Sequence, residues 1–316
     1  MRIISEEEVR KNLPVAEAVR LVRESFVALA RGEAANQPRR RMQTPGGAVL
    51  HSLAGAFGAY FGTKVYSTQA RHGAHFVMIL FDGETGKPLA MLEANHLGRI
   101  RTGAATAVAT DLLARKEARR LGLVGSGVRA GLQVEAVARV RRLEEVRVWS
   151  RSAEKREAFA RAEGERLGLR VRAVETAREA VEGAEIVVTA TNAREPVLEA
   201  GWVSEGAHVN AMGSNQPGRR ELPGELIARA DLIAADSVED ARIESGDLIL
   251  AWGEEDWKTP RLRELGDLLV EGYARGEREL TVFKSNGLGV QDVAVGGYVY
   301  EAILGRPSED PGPSRR

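Results

Sequence analysis

Residues 119–131 read Arg119-Arg120-Leu121-Gly122-Leu123-Val124-Gly125-Ser126-Gly127-Val128-Arg129-Ala130-Gly131, an apolar strand running through a glycine turn into amphipathic sequence. Gly125, Ser126, Gly127, Val128, Arg129 and Ala130 fit G-x-G-x-x-A. Such glycines let the main chain turn tightly and approach a pyrophosphate, whose charge is met by free N–H groups at the positive end of the following helix. The reading is a dinucleotide-binding turn. Downstream, apolar strands alternate with amphipathic helices: a helix to Arg142, VRVWS, a helix over 152–167, VRAV, a helix near 177–182, then EIVVTAT, HVNAMGS and LIAADS. That alternation predicts a parallel, doubly wound sheet.

The end of the second strand refines the ligand. A nucleotide site for NAD places Asp or Glu ~20 residues beyond the glycines to take the ribose 2′-hydroxyl. This chain has Ser150-Arg151-Ser152 there, with Arg156 one turn on. Hydroxyls and a guanidinium without a carboxylate suit a 2′-phosphate, so NADP(H) is favoured over NAD(H). Further cofactor contacts are expected where strands end, at Thr189, Ala190 and Thr191 and at Met212, Gly213 and Ser214, and in the small-residue loop at Ser285 and Gly287.

Toward the N-terminus the texture differs. Ser5 and Glu8 have capping-box spacing, and Val15, Val19, Val22, Phe26 and Leu29 recur at helical spacing until Gly32, so the chain is expected to open with helix. From Ala48 the runs AVLHSLAG, YFGTKVYST and HFVMILFD are β-type, and Asp82, Gly83 and Gly86 mark a hairpin within an antiparallel sheet. Residues 102–114 are dense in small helix formers. The last helix is expected to begin at Asp292, read as its N-cap, and to return to the first domain. The fold class is therefore α/β: a Rossmann doubly wound domain over 116–290, plus a discontinuous α+β substrate and dimerisation domain made of 1–115 and 291–316. The tail from Arg306, rich in Pro, Ser and charge, is expected to fray.

Composition closes off other classes. The 316 residues hold 45 Lys+Arg against 45 Asp+Glu and no cysteine. A balanced charge gives no pull toward nucleic acid or an anionic membrane. Without cysteine there is no disulfide framework, thiolate metal site or cysteine nucleophile, so redox chemistry has to come from a bound cofactor. The five histidines show no metal-ligand spacing on a predicted helix, and no metal is expected. No stretch reaches the ~20 apolar residues of a membrane helix, and the charged N-terminus does not read as a secretory signal; a soluble, cytoplasmic protein is expected.

Several segments together resemble the ornithine cyclodeaminase/μ-crystallin family: Ser5-Glu6-Glu7-Glu8-Val9, Pro38-Arg39-Arg40-Arg41, Gly62-Thr63-Lys64, Asp82-Gly83-Glu84-Thr85-Gly86, Arg101-Thr102-Gly103-Ala104-Ala105, the glycine turn, Val188-Thr189-Ala190-Thr191, Val209-Asn210-Ala211-Met212-Gly213-Ser214 and Ser285-Asn286-Gly287. The resemblance spans nearly the whole chain and implies a homodimer acting on a small-molecule substrate. It also implies that the substrate α-carboxylate is held by an Arg after Pro38, by Lys64 and by Arg101. Direct spacing favours Arg40, with Arg41 next, though the triple arginine leaves the register open. Three cations converging on one carboxylate would fix its orientation.

Two positions depart from the family. Where cyclodeaminases carry an Asp this chain has Asn215, and an amide cannot act as a general base. Where they carry a Glu upstream of the G-x-K lysine it has His51, which can serve as an acid or base near neutral pH. Catalytic candidates are thus Lys64, His51 and Asn215. The departure at Asn215 weakens ring-closing deamination and leaves hydride transfer intact. The expected activity is an NAD(P)H-dependent oxidoreductase acting on the C=N or CH–NH bond of small imino or amino acids, either a ketimine reductase or an alanine-dehydrogenase-like enzyme. The alternatives are an ornithine or lysine cyclodeaminase and an NADPH-dependent protein that binds small acids with little catalysis.

Overall fold

The structure, a computed structural model, describes residues 1–305; the tail from Arg306 lies outside the described residues. The chain separates into two compact units, Met1–Arg101 with the segment from Gly287, and Thr102–Asn286. The divisions fall earlier than the expected 115/116 and 290/291. The reason lies in helix α3 (Asn95–Leu113), of which only the first turns belong to the first unit. From Thr102 onward its side of small residues is bound into the second unit. Thr106 donates to Gln133, Asn210 donates to Thr110, and a Cβ on Gly103 would stand 2.5 Å from the Leu132 carbonyl.

The first unit opens not with helix but with strand β1 (Arg2–Ile4), which pairs in parallel with β6 (Pro88–Glu93). The capping box at Ser5 and Glu8 then starts α1 (Glu6–Asn12), and α2 (Val15–Ala30) follows Pro14. Strands β2 (Ala35–Gln43), β3 (Val49–Phe57), β4 (Tyr60–Gln69) and β5 (Gly73–Asp82) complete an antiparallel run, in the order β1-β6-β5-β4-β3-β2. Alternation along β3 to β6 turns Leu53, Lys64, Tyr66, Met78, Leu80, Ala90 and Leu92 to the buried face. Helix α11 (Gly289–Ile303) lies on that face, against β3 and β4, and beside α2. Glycine permits the approach: a Cβ on Gly55 would come within 2.6 Å of the Val290 Cα, and one on Gly296 within 2.8 Å of the Met78 side chain. Helix and sheet here meet at backbone distance.

The second unit carries eight parallel strands, in the order β13-β12-β14-β11-β10-β7-β8-β9. They are β7 (Arg120–Val124), β8 (Glu145–Trp149), β9 (Val171–Ala173), β10 (Ile186–Thr189), β11 (His208–Ala211), β12 (Leu232–Ala235), β13 (Leu262–Glu264) and β14 (Thr281–Lys284). Helices α4 (Ala130–Val140) and α5 (Ala153–Leu167) follow β7 and β8 as the alternation predicts. Strands β13 and β14 were not visible as periodic runs; each is three or four residues long, and β14 inserts between β11 and β12. Strands β7, β10 and β12 are largely apolar on both faces, as buried parallel strands are, whereas β11 carries the buried His208 and Asn210, bonded to Thr281 and Thr110. Arg141 ties α3 into this unit. Its guanidinium donates to the carbonyls of Thr110, Asp111, Ala114 and Arg115, satisfying the C-terminal turn of the helix.

Candidate active site

In the first unit the packing of α11 on the sheet sets one carboxylate between two cations. Lys64, 2% exposed on β4, has its Nζ 2.7 Å from Asp292 Oδ1 and 2.6 Å from Oδ2. Arg101 Nε donates to Asp292 Oδ1 at 3.0 Å. Asp292 is wholly buried in the first turn of α11, whose N-cap is Leu288. It is therefore not the N-cap that the sequence suggested. The helix starts four residues earlier because the segment from Gly289 is already helical, and this turns the Asp292 side chain onto β4 and α3.

A third cation completes the cluster. Arg39 is 5% exposed and donates to the Gly287 carbonyl at 3.3 Å, whereas Arg40 and Arg41 are exposed. Arg39 thus takes the inward place expected of Arg40 or Arg41. The register shifts between Gln37 and Arg40, where Pro38 supplies no N–H for the ladder, and the extra residue of that bulge cannot be counted from sequence spacing. Gly287 has φ +83, and a Cβ there would lie 2.5 Å from Arg101 Nη1. The missing side chain at Gly287 thus makes space for Arg101.

Burial drives the Lys64 pKa down, from 10.5 to about 7, and the Arg101 and Arg39 charges push the same way against the pull of Asp292. Burial alone would raise the Asp292 pKa, but Arg101 and Lys64 outweigh it and hold the carboxyl below its ordinary value. Lys64 is thus a lysine able to gain or lose a proton at neutral pH. His51 shares the inward face, its ring stacked on Tyr66 at 4.2 Å between centroids and its Nε2 2.9 Å from Thr68 Oγ1. Burial, then Arg41 and Arg39, lower its pKa to about 4, so it is neutral at pH 7 and is no acid there.

In the second unit the glycine turn has the shape a dinucleotide needs. Gly125 has φ +116, and a Cβ there would sit 2.6 Å from the Ala190 carbonyl. Gly127 faces open space, Val128 is 74% exposed, and α4 begins at Ala130 with its first amides directed to the turn. Ser126 Oγ and Ser150 Oγ are 2.8 Å apart, linking the turn to the end of β8. Arg151 is exposed and makes no hydrogen bond among the described residues. Ser152 caps α5 by accepting from the Lys155 amide. Arg156 is bonded to Glu175 at 2.9 Å and to the Ser150 carbonyl, and so supports the strand end.

The other proposed cofactor contacts prove to be held from behind. Thr189 and Thr191 give their hydroxyls to Glu221, and Gly213 gives its amide. Ser214 donates to the Arg219 carbonyl, and Ser285 donates to Asp236. Ala190 and Met212 sit between these anchored positions. Asn215 lies in the loop after β11, half-buried. Glu221 had escaped notice and Asp292 had been read only as a helix cap, because neither belongs to a local motif. Asp292 did carry a signal, as the one charge in the apolar run Gly289–Val299.

A model of the ornithine cyclodeaminase/mu-crystallin family matches residues 1–306. The chain belongs to that family. Within it, a delta(1)-pyrroline-2-carboxylate reductase of Bacillus cereus is 40% identical over 234 residues, which cover 73% of this chain and 71% of that protein. The solved delta(1)-pyrroline-2-carboxylate reductase of Thermococcus litoralis, in complex with NADH and L-proline, has TM-score 0.90 at 30% identity and covers 96% of this chain and 98% of that one. An archaeal alanine dehydrogenase dimer with bound NAD has TM-score 0.90 at 31% identity, covering 96% of each chain. The chain is an NAD(P)-dependent oxidoreductase of this family, acting on small imino or amino acids. Gly287→Ala should displace Arg101 and raise KM for a carboxylate substrate about tenfold, the loss of roughly one charge-assisted bond, with cofactor affinity unchanged; an unaltered KM in steady-state assays would show that Arg101 does not need that space.

Proposed function

We propose that the protein reduces cyclic ketimine carboxylates, with pyrroline-2-carboxylate and piperideine-2-carboxylate as type substrates and NADPH as the hydride donor. The observation that carries this is the buried Lys64–Asp292–Arg101 cluster. Arg101 and Arg39 supply fixed positive charge for the substrate carboxylate, and Arg can take it bidentately. Lys64 delivers a proton to the imine nitrogen, directly or through one water. The nicotinamide, when bound, supplies a hydride to the α-carbon. C=N, a proton and a hydride then give CH–NH, with no oxygen or metal required. His51, neutral, lines the pocket as a hydrogen-bonding ring, and Asn215 takes no proton.

The preference for NADPH rests on Ser150-Arg151-Ser152. The two solved relatives hold NADH and NAD, yet here the end of β8 offers two hydroxyls and the unengaged guanidinium of Arg151. Homodimerisation rests on the outer face of the six-stranded sheet, where Leu50, Phe61 and Val77 are 39%, 37% and 37% exposed, and on the dimeric relative.

Five measurements test these readings. Pyrroline-2-carboxylate and piperideine-2-carboxylate should be reduced faster than pyruvate with ammonia, and turnover of none would overturn the proposal. Proline made from ornithine without net cofactor change would mark a cyclodeaminase. Because Lys64 must be protonated to donate, kcat/KM for reduction should fall as pH rises through about 7. Asp292→Asn removes the counter-charge and should move that limb to lower pH; a limb that stays put would exclude Lys64 as the donor. Arg151→Ala should cost about tenfold in kcat/KM with NADPH and nothing with NADH, and equal losses would return the preference to NAD. Light scattering should give twice the 34.3 kDa of one chain, whereas a monomer would refute the dimer.

A further inference from the structure

Glu221 is a buried charge that the proposed reaction does not use. It follows β11 and is wholly enclosed in the second unit. Its Oε1 accepts from the amide and the hydroxyl of Thr191, both at 2.7 Å. Its Oε2 accepts from Thr189 Oγ1 at 2.9 Å and from the Gly213 amide at 2.7 Å. Thr189 ends β10, and Gly213 lies just past β11. One carboxylate therefore joins two neighbouring strand ends at the carboxyl edge of a doubly wound sheet, the edge at which such sheets bind ligands. No Cβ fits at Gly213, where it would collide with Glu221 and with the Thr191 carbonyl.

Four donors on four lone-pair positions suit the ionised form. Burial and then Asp247 raise the Glu221 pKa above the ordinary carboxylate value, against the opposing pull of Lys284 and the Thr191 donors, which favour the charged form. Behind it stand two more fully buried charges. Lys284 Nζ is 3.0 Å from Asp247 Oδ2 and donates to the Ser214 carbonyl at 2.5 Å. Asp247 Oδ1 accepts from the amides of Glu221 and Leu222 at 2.6 and 2.9 Å. Lys284 thus offsets Asp247, and the trio of Glu221, Asp247 and Lys284 keeps one negative charge in excess. Oxidation of a nicotinamide turns a neutral ring into a cation, so a fixed negative charge beside it distinguishes the two forms.

We propose that Glu221 is a positioning residue that sets the ends of β10 and β11 for the nicotinamide and, through its charge, favours the oxidised ring over the reduced one. This rests on the reading that the second unit holds that cofactor. The test is equilibrium binding of NADP+ and NADPH to the full chain, by calorimetry and nicotinamide fluorescence, with circular dichroism as the check on folding. Glu221→Gln should raise the ratio of Kd for NADP+ to Kd for NADPH about fivefold or more. Asp247→Asn should shift the ratio in the same direction and Lys284→Met in the opposite one. Equal weakening of both forms in Glu221→Gln would overturn the electrostatic role and leave only a structural one. Should Glu221→Gln fail to fold, the other two variants decide, and an identical ratio in both overturns the proposal. Wild-type protein that binds neither form, nor NAD+ or NADH, would defeat the cofactor reading itself and not the role of Glu221.

Discussion

One carboxylate holds the first unit's chemistry together. Burying an ammonium and a guanidinium in a protein interior costs several kcal/mol for each ion unless a partner compensates, and Asp292 is that partner for both Lys64 and Arg101. A leucine or methionine core of the same volume would be no less stable. The charges persist because they are of use: with Arg39 close by, three cations face one anion, and the remaining positive charge can be met by a ligand carboxylate. Burial, with Arg101 and Arg39 pushing the same way, lowers the Lys64 pKa, so the geometry that attracts the anion also prepares the proton.

The two units achieve rigidity in different ways. In the first, glycine lets backbone meet backbone, with Gly55 against Val290 and Gly287 beside Arg101, so cationic side chains are aimed by close packing. In the second, buried polar side chains fasten loops to strand ends. Arg141 gathers the last carbonyls of α3, Asp236 takes the Ser285 hydroxyl and the Asn286 amide, and Glu221 collects four donors. Networks of this kind are costly if one member is missing, and they define a single arrangement when complete.

Signals confined to a few neighbouring residues were legible in the sequence. The Ser5–Glu8 capping box, the hairpin at Gly86, the glycine turn after β7 and the strand–helix alternation all depend on local propensity or short spacing, and each is present. Lys64 and Arg101 were readable through resemblance and lie on the same buried cluster. Arg39 was legible only as one of three candidate arginines, with spacing favouring Arg40, because a bulge at Pro38 adds a residue that spacing arithmetic misses. Asp292 was displaced from a helix cap to a cluster centre by a four-residue error in where α11 begins. Glu221, Asp247 and Lys284 meet only after the chain has crossed the sheet, and no window of sequence contains that encounter.

The order of the chain has a consequence for how the protein comes off the ribosome. The sheet of the first unit is complete once β6 ends at Glu93, yet the helix that seals its apolar side comes from residues 289–303, nearly two hundred residues later. The middle unit is continuous and can condense while synthesis proceeds. The earlier strands have to wait with Met78, Leu80 and Leu92 uncovered and with Lys64 lacking its counter-ion. For the nascent polypeptide, the acidic side chain of Asp292 therefore arrives as the closing piece, and truncation before it would leave an ammonium stranded in oil.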